Sequence, residues 1–222
     1  MLVIEPSFRI VGKPADRVEG IGLLRHIERM ARISHRSEDR ETDNSWEKFI
    51  KFVVLQHGDW SVVEHAYTTV VFRVDRGVTH ELVRHRLFSF TQESTRFVNG
   101  RKNYPDGLEF IRPLDLPQGQ PEWSWRQACQ QAEIEYFCML DCKVRPQEAR
   151  SVLPNCLAAT IAVTGNLRNW RHILIMRTTQ ETHPDFKRVM IPLLAQLQER
   201  VPLLFDDIVP NQKQSEALSK PR

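Results

Sequence analysis

The chain has 222 residues, of which 41% are hydrophobic and 9% aromatic, and its formal net charge is +3 at pH 7. A chain of this length forms one domain or at most two, and its apolar fraction suffices for a sizeable core. So mild a positive charge excludes the profile of a strong nucleic-acid binder, but it suits small anionic ligands held by a few arginines.

The composition also bears on the compartment. No uninterrupted apolar run approaches the roughly 20 residues of a membrane span, and no basic stretch followed by an apolar run opens the chain as in a signal peptide. The four cysteines form no CxxC pair. Reduced thiols and a cytoplasmic location are therefore expected.

Helical and strand patterns alternate without regular βαβ order. Helices are predicted at residues 17–34, 45–57, 77–88, 122–143, 167–178 and 184–205, with a further helix starting at Pro146. Asn44 and Glu47 predict a capping box, Gly58 a helix end, and Asn166 an N-cap. Strands are predicted at 66–75 and 108–112, whereas 156–164 fits either type. This order favours an α+β fold over a doubly wound sheet.

Two motif-like stretches do not satisfy the geometry of the motifs that they resemble. HELVRH at residues 80–85 separates its histidines by five positions, which places them about 140° apart on a helix, too far for a shared zinc. Gly20-Ile21-Gly22 begins like a dinucleotide fingerprint, but Arg25 stands where the third glycine belongs.

Cys156 between apolar neighbours is typical of packing more than of a nucleophile.

Arginines form two clusters that a solvated helix face explains only in part. The first comprises Arg84, Arg86 and Arg96, and the second Arg168, Arg171 and Arg177, with Arg150 between the clusters in sequence. The planar guanidinium stays charged and offers a fork of donors to phosphates and carbonyl-bearing rings. The clusters therefore predict a site for an anionic ligand.

Four segments in a fixed order carry a resemblance to a known family. They are HGDWSVVEH at 57–65, RHRLFSFTQESTR at 84–96, EARSVLP at 148–154 and NLRNWRHILIMR at 166–177. RHR followed by seven residues and a serine resembles the motif of the flavin-dependent thymidylate synthases, the ThyX family. The other three segments resemble that family's flanking segments, although Gln92 stands where glutamate is usual and Asp59 where many members have histidine.

The resemblance implies a fold of helices packed around a small, mainly antiparallel sheet. It implies a single catalytic domain over residues 1–210, and the polar residues 211–222 are expected to form a disordered tail. The implied reaction methylates dUMP to dTMP, with carbon from 5,10-methylenetetrahydrofolate, a hydride from NADPH by way of FAD, and release of tetrahydrofolate. It also implies a homotetramer whose active sites are shared between subunits, with neither nucleic acid nor membrane as partner and no metal.

The site residues follow from the same resemblance, position by position. The FAD contacts implied are Ser61, Arg84, His85, Arg86, Gln92, Asn166, Arg168 and His172. The dUMP contacts implied are Glu81, Arg84, Gln92, Ser94, Thr95, Arg96, Arg150 and Arg177. Arg177 is the implied catalytic residue, which polarises the uracil. Within RHRLFSFTQESTR, the apolar residues 87–90 are expected to anchor the segment in the core while their polar neighbours face the nucleotides.

Two rival hypotheses use the same residues. A non-catalytic nucleotide- or nucleic-acid-binding protein would use the arginines alone, and salt-sensitive oligonucleotide binding without flavin would favour it. A zinc hydrolase at HELVRH would need stoichiometric zinc.

Overall fold

Six strands form two sheets in the computed structural model, which describes residues 1–213. The strands are β1 (Leu2–Ile4), β2 (Ser7–Val11), β3 (Tyr67–Asp75), β4 (Ser89–Gln92), β5 (Glu109–Ile111) and β6 (Ala158–Asn166). β1 and β5 pair in parallel, with Leu2 opposite Glu109 and Ile4 opposite Ile111. The other four strands have the order β2-β3-β6-β4.

β3 and β6 are the two long strands of the four-stranded sheet, and they run antiparallel. The Thr69 hydroxyl lies 2.8 Å from that of Thr164, and Arg73 Nη1 lies 2.9 Å from Thr160 Oγ1, so the pairing advances along one strand as it recedes along the other. β3 alternates buried and partly exposed residues along its length, as a half-buried strand should. Residues 156–164, which the sequence left open, are thus mainly strand.

Eight α-helices accompany the strands in the described part of the chain. They are α1 (Arg17–Arg32), α2 (Ser45–Phe49), α3 (Arg76–Leu82), α4 (Gly100–Asn103), α5 (Gln120–Asp141), α6 (Pro146–Ala149), α7 (Leu167–Arg177) and α8 (Pro184–Arg200). α2 continues into a π-helical stretch at Ile50–Gln56, and a 3₁₀ helix follows at Trp60–His65. The mixed helix-and-sheet architecture confirms the predicted α+β class.

The chain divides into two compact units. Unit 1 comprises Met1–Ser7, Phe72–Arg84 and Thr91–Ala162, and unit 2 comprises Phe8–Val71, His85–Phe90 and Val163–Arg222. The prediction of a single catalytic domain over residues 1–210 stays a prediction.

Each unit has its own buried apolar side chains. In unit 1, Phe110 of β5 packs with Cys129 and Tyr136 of α5, and with Ala149 and Leu157. In unit 2, α1, α7 and α8 supply fully buried residues, among them Leu24, Ile27, Trp170, Leu174, Phe186 and Leu193. Burial of such side chains is the main stabilising term of each unit, at roughly 1.5–3 kcal/mol per large side chain.

Three sequence predictions about local structure are wrong in detail. Helix α3 ends at Leu82 rather than at residue 88. The Asn44 side chain makes no capping hydrogen bond, and the Ser45 hydroxyl accepts from Thr42 N and donates to Thr42 O. Leu87 is 77% exposed and anchors nothing in this chain, so the core anchor of the 87–90 segment is Phe88 alone, which is 9% exposed.

The packing of Phe88 explains why the helix stops. Its ring lies edge-on to Trp170 with centroids 4.9 Å apart, and Gly165 leaves the space that the ring occupies. Asn169 Nδ2 donates to the Leu87 carbonyl at 3.0 Å. These contacts hold residues 85–88 in a turn before β4 begins at Ser89, so tertiary packing overrides the helical propensity of the sequence.

The predicted tail begins at residue 211. Asn211 N donates to Thr178 O and Gln180 N to Gln212 O, whereas residues 214–222 lie outside the described part. Among the described residues, no helix has the length and apolar character needed to cross a membrane.

Candidate functional site

His85 and Arg177 meet inside unit 2. Arg177 is the last residue of α7, and its Nε donates to His85 Nε2 at 3.0 Å. Burial, followed by the nearby charges of Arg177 and His172, lowers the pKa of His85 to about 4. His85 is therefore neutral at pH 7. Because its Nε2 accepts from Arg177, the single ring proton of the neutral imidazole is assigned to Nδ1.

The start of α7 places two more of the predicted flavin contacts, and the 3₁₀ helix that contacts α7 carries a third. The Asn166 side chain accepts from Asn169 N at 2.8 Å and caps the helix, as its position in the sequence predicts. Arg168, in the first turn, donates to Glu64 at 2.5 Å from the partly exposed side of the helix. Ser61 and Glu64 both belong to the 3₁₀ helix at Trp60–His65, where Ser61 is exposed.

Residues 94–96 and 147–150 face each other in unit 1. Arg150 Nη1 donates to Thr95 Oγ1 at 3.3 Å, and Arg96 Nε donates to Gln147 Oε1 at 3.2 Å. Ser94 Oγ accepts from Arg96 N at 3.3 Å. Two exposed arginines and two hydroxyl groups therefore converge, and this donor set is suited to a phosphate.

The remaining predicted nucleotide contacts of unit 1 lie on or after α3. Glu81 is half-buried within α3, and Arg84 is exposed just beyond the helix end. Gln92 ends β4, and its Nε2 donates to Thr79 Oγ1 of α3 at 3.1 Å. This hydrogen bond joins the end of β4 to α3, whose residue Glu81 is also predicted to contact the nucleotide.

The predicted contact sets divide between the two units. Unit 1 holds the predicted dUMP contacts except Arg177, and unit 2 holds the predicted FAD contacts except Arg84 and Gln92. Arg86 is exposed in unit 2. The roles of these residues stay predictions.

Arg171, which the sequence grouped with the ligand-binding arginines, has an internal role. Its side chain is buried, makes a two-pronged ion pair with Asp207 at 2.6 Å and donates to the Leu204 carbonyl. Its guanidinium also stacks on Trp60, with Cζ 4.4 Å from the ring centroid. Arg171 therefore fastens residues 204–207 onto α7 and does not belong to the candidate site.

A charged network in unit 1 escaped the sequence interpretation. Arg73, on β3, pairs with Glu93 and Glu109, and the Tyr104 hydroxyl donates to Glu93. The available signal was an arginine within a strand of otherwise apolar and β-branched residues, next to a segment rich in predicted contacts. Such a position calls for an acidic partner, but spacing alone does not identify it.

The histidines of HELVRH occupy different surroundings. His80 is exposed on α3, whereas His85 lies beyond the helix end and contacts Arg177. In the described part of the chain, no group of three or more histidine, cysteine or acidic side chains is arranged to hold a metal ion.

Comparison with known proteins shows which family the chain resembles. The family model described as thymidylate synthase complementing protein matches residues 22–203. A flavin-dependent thymidylate synthase of Corynebacterium aurimucosum is 34% identical over 171 residues, which cover 69% of this chain and 67% of the relative. That of Mycobacterium tuberculosis is 32% identical over 166 residues, covering 69% and 66%. The match thus spans about two thirds of the length of these relatives.

A solved structure shows the same fold over the whole chain. The UMP/dUMP methylase PolB from Streptomyces cacaoi, bound with 5-Br dUMP, superposes with a TM-score of 0.75, covering 100% of this chain and 98% of that one. Its sequence identity is 20%, so this likeness concerns the fold alone.

Proposed function

We propose a reaction for this chain on the premise that it belongs to the flavin-dependent thymidylate synthase family, as its family-model match and its relatives establish. The proposed reaction is the reductive methylation of dUMP to dTMP. Carbon comes from 5,10-methylenetetrahydrofolate, reducing equivalents come from NADPH, and tetrahydrofolate leaves. The chain acts in the cytoplasm as a homotetramer with active sites shared between subunits, and it uses no metal.

The observation that carries the proposal is the convergence of the family segments. Thr95 and Arg150, which are 55 residues apart in sequence, are in hydrogen-bond contact, and so are His85 and Arg177, which are 92 residues apart. The first pair supports a phosphate subsite, because exposed guanidinium and hydroxyl donors satisfy a dianion. The His85–Arg177 pair supports a site for a polar ring, because the neutral histidine accepts from the charged arginine and orients its guanidinium.

The residues present suit FAD by the chemistry of their donors. The predicted flavin contacts are serine, asparagine, histidine, glutamine and arginine side chains, which match a diphosphate and the polar edges of a flavin ring. FAD supplies the hydride transfer that no side chain here can perform. The chain's own contribution is to bind and orient the ring beside the uracil and to exclude water.

Arg177 carries the proposed chemical role. Negative charge builds on the uracil ring when a bond forms at its C5 atom, and a cation at the carbonyl edge stabilises that charge. His85 accepts from Nε of Arg177 and so fixes the plane of the guanidinium. The contact requires neutral His85, and its lowered pKa keeps it neutral across the physiological range.

Substitution of Arg177 tests this role. For Arg177→Ala we expect kcat for dTMP formation to fall by roughly 10²–10³, the usual effect of losing one preorganised donor at a developing charge. The matched control is Arg101→Ala. The Arg101 side chain is exposed, and its described contacts are an ion pair with Asp141 and a cation–π contact with the Phe137 ring. Unchanged dTMP formation by Arg177→Ala would show that the assigned role is wrong.

A visible absorption spectrum tests the flavin requirement. The purified protein is mixed with FAD, desalted and scanned. We expect retained flavin absorbance that NADPH bleaches and dUMP perturbs. A folded, colourless protein that instead binds oligonucleotides in a salt-sensitive manner would favour the rival non-catalytic binding protein.

A further inference from the structure

Glu93 lies in the middle of the predicted nucleotide-binding segment, between Gln92 and Ser94. Its carboxylate accepts hydrogen bonds from Arg73 Nη1 at 2.7 Å, from Thr160 N at 3.2 Å and from the Tyr104 hydroxyl. Its own backbone N–H donates to Thr160 O at 2.8 Å. Both the side chain and the backbone of Glu93 are therefore tied to unit 1.

Arg73 is held on its other side as well. Its Nε donates to Glu109 at 3.0 Å, Nη2 contacts the same carboxylate, and Nη1 also reaches Thr160 Oγ1. The guanidinium is half-buried in β3, so its charge is desolvated and requires these partners. Its position is thus fixed before any ligand binds, and it presents one N–H group to Glu93.

Tyr104, the residue that follows α4, is the second side chain that donates to the Glu93 carboxylate. Burial, together with the hydrogen bond to Glu93, raises the pKa of Tyr104 to about 12. The hydroxyl therefore stays protonated at physiological pH and remains a donor. Arg73 lies over its ring, with Cζ 5.8 Å from the centroid, so the two donors to Glu93 also support each other.

The residues on both sides of Glu93 carry the predicted nucleotide contacts. On the N-terminal side of Glu93, Gln92 donates a hydrogen bond to Thr79. On its C-terminal side, Thr95 is hydrogen-bonded to Arg150 and Arg96 to Gln147. A loop that presents several donors to one anion binds it more tightly when its backbone is ordered beforehand. The conformational entropy of the loop is then lost on folding and no longer opposes binding. Glu93 is the residue through which that order can be imposed.

We propose that Arg73 and Tyr104 are positioning residues that act through Glu93 to preorganise residues 92–96 for the phosphate of dUMP. The proposal rests on the proposed function. Neither Arg73 nor Tyr104 contacts the nucleotide in it; both act by restraining the backbone that carries Ser94, Thr95 and Arg96.

The test compares three isosteric variants of the flavin-loaded protein. Glu93→Gln removes the charge of the carboxylate that Arg73 and Tyr104 bind. Tyr104→Phe removes a donor to Glu93 and an acceptor of Arg73 Nη2 but keeps the ring. Glu109→Gln replaces the other carboxylate of Arg73 without changing residues 92–96. Titration calorimetry gives the dUMP Kd of each, steady-state assays give kcat and KM, and the retained flavin absorbance reports FAD binding.

We expect the dUMP Kd and KM to rise about tenfold in Glu93→Gln and about threefold in Tyr104→Phe, as loss of one charged and one neutral hydrogen bond implies. In both variants kcat at saturating dUMP should stay within about twofold, because Arg177 is unchanged. Glu109→Gln should raise the dUMP Kd by less than about twofold, because its amide oxygen can still accept from Arg73 and Glu93 keeps all its donors. A purely structural role would instead lower stability in all three variants without this difference in Kd.

The outcomes separate the two claims. If the wild-type protein binds no dUMP, the proposed function fails and this inference fails with it. If the wild type binds dUMP but Glu93→Gln and Tyr104→Phe bind equally well, or Glu109→Gln loses as much affinity as Glu93→Gln, only the positioning proposal is overturned. Because Tyr104→Phe deletes a single oxygen, it keeps the test valid should Glu93→Gln fail to fold.

Discussion

His85 shows how a single residue can be held in one protonation state by its surroundings. Burial is the largest cause of its lowered pKa, and the charges of Arg177 and His172 add to it. In the unfolded chain His85 has its ordinary pKa of 6.5, whereas in the folded chain its pKa is about 4. The stabilising contribution of neutral His85 is thus fully present above pH 6.5 and is lost as the pH falls towards 4.

The Arg177→Met substitution separates these causes. Without the neighbouring positive charge, we expect the pKa of His85 to rise above that of the wild type but to remain below 6.5, because burial persists. Titration of ¹³C-labelled histidines by NMR measures the value directly. An unchanged pKa would show that Arg177 does not face the imidazole.

Two cysteines are expected to differ in thiol chemistry. Cys156 Sγ lies 3.4 Å from Cys129 Sγ, and the hydrogen bond from the Cys129 thiol is the largest cause that lowers the pKa of Cys156, with Trp125 contributing. The pKa of exposed Cys138 is raised, chiefly by the charge of Cys142. Since the thiolate is the nucleophile, the two residues should react over different pH ranges.

Alkylation rates against pH test this difference. With iodoacetamide and peptide mass spectrometry, we expect the midpoint for Cys156 to lie at lower pH than that for Cys138. Cys129→Ala should move the Cys156 midpoint upwards and leave that of Cys138 in place. The reverse order of midpoints in the wild type would contradict the hydrogen-bond assignment.

At the scale of elements, α1 and α8 approach closely at Gly20. A Cβ atom at Gly20 would lie 1.7 Å from the Arg200 carbonyl oxygen, whereas one at Gly22 would meet nothing within 4 Å. Both glycines lie in the same helix, two residues apart. The glycine pair that resembled part of a dinucleotide motif is therefore explained at Gly20 by helix packing.

These two glycines offer a matched pair of variants. Gly20→Ala should lower the free energy of unfolding by about 1–3 kcal/mol or more, because the backbone of α8 must move. Gly22→Ala should raise it by about 0.5–1 kcal/mol through helix propensity. Urea denaturation of the flavin-free protein measures both, and equal effects of the two substitutions would contradict this packing.

Sequence patterns predicted the elements whose signal is local and long. α1, α5 and β3 follow their apolar periodicity, and Asn166 caps α7 as expected. The short strands β1 and β2 were missed, because three to five residues carry too little periodicity and depend on their sheet partners. α3 ends early for a related reason, since the contacts of Phe88 are distant in sequence.

The candidate site was predictable only through the ordered family segments. Spacing alone grouped Arg171 with Arg168 and Arg177, although Asp207 and Trp60 bury it. Spacing alone also gave no sign of the Arg73–Glu93–Tyr104 network, because its members come from three separate parts of the chain. Pairings of this kind are set by tertiary structure, which local patterns do not encode.

At the scale of the whole molecule, the two units hold different sets of the contacts that membership of the family predicts. Unit 1 supplies the arginines and hydroxyls suited to a phosphate, and unit 2 supplies Arg177 with its neutral histidine. A chain that merely bound nucleotides would need the first set alone. The histidine-oriented arginine of unit 2 is the observation that favours the proposed chemistry on the base over binding alone.

The most direct test is to incubate the protein with dUMP, 5,10-methylenetetrahydrofolate and NADPH, with and without FAD, and to identify both products by mass spectrometry. The proposed function predicts FAD-dependent dTMP in equal amount with tetrahydrofolate. Failure to form dTMP with flavin-loaded, folded protein, or formation of dTMP with dihydrofolate and without FAD, would contradict it.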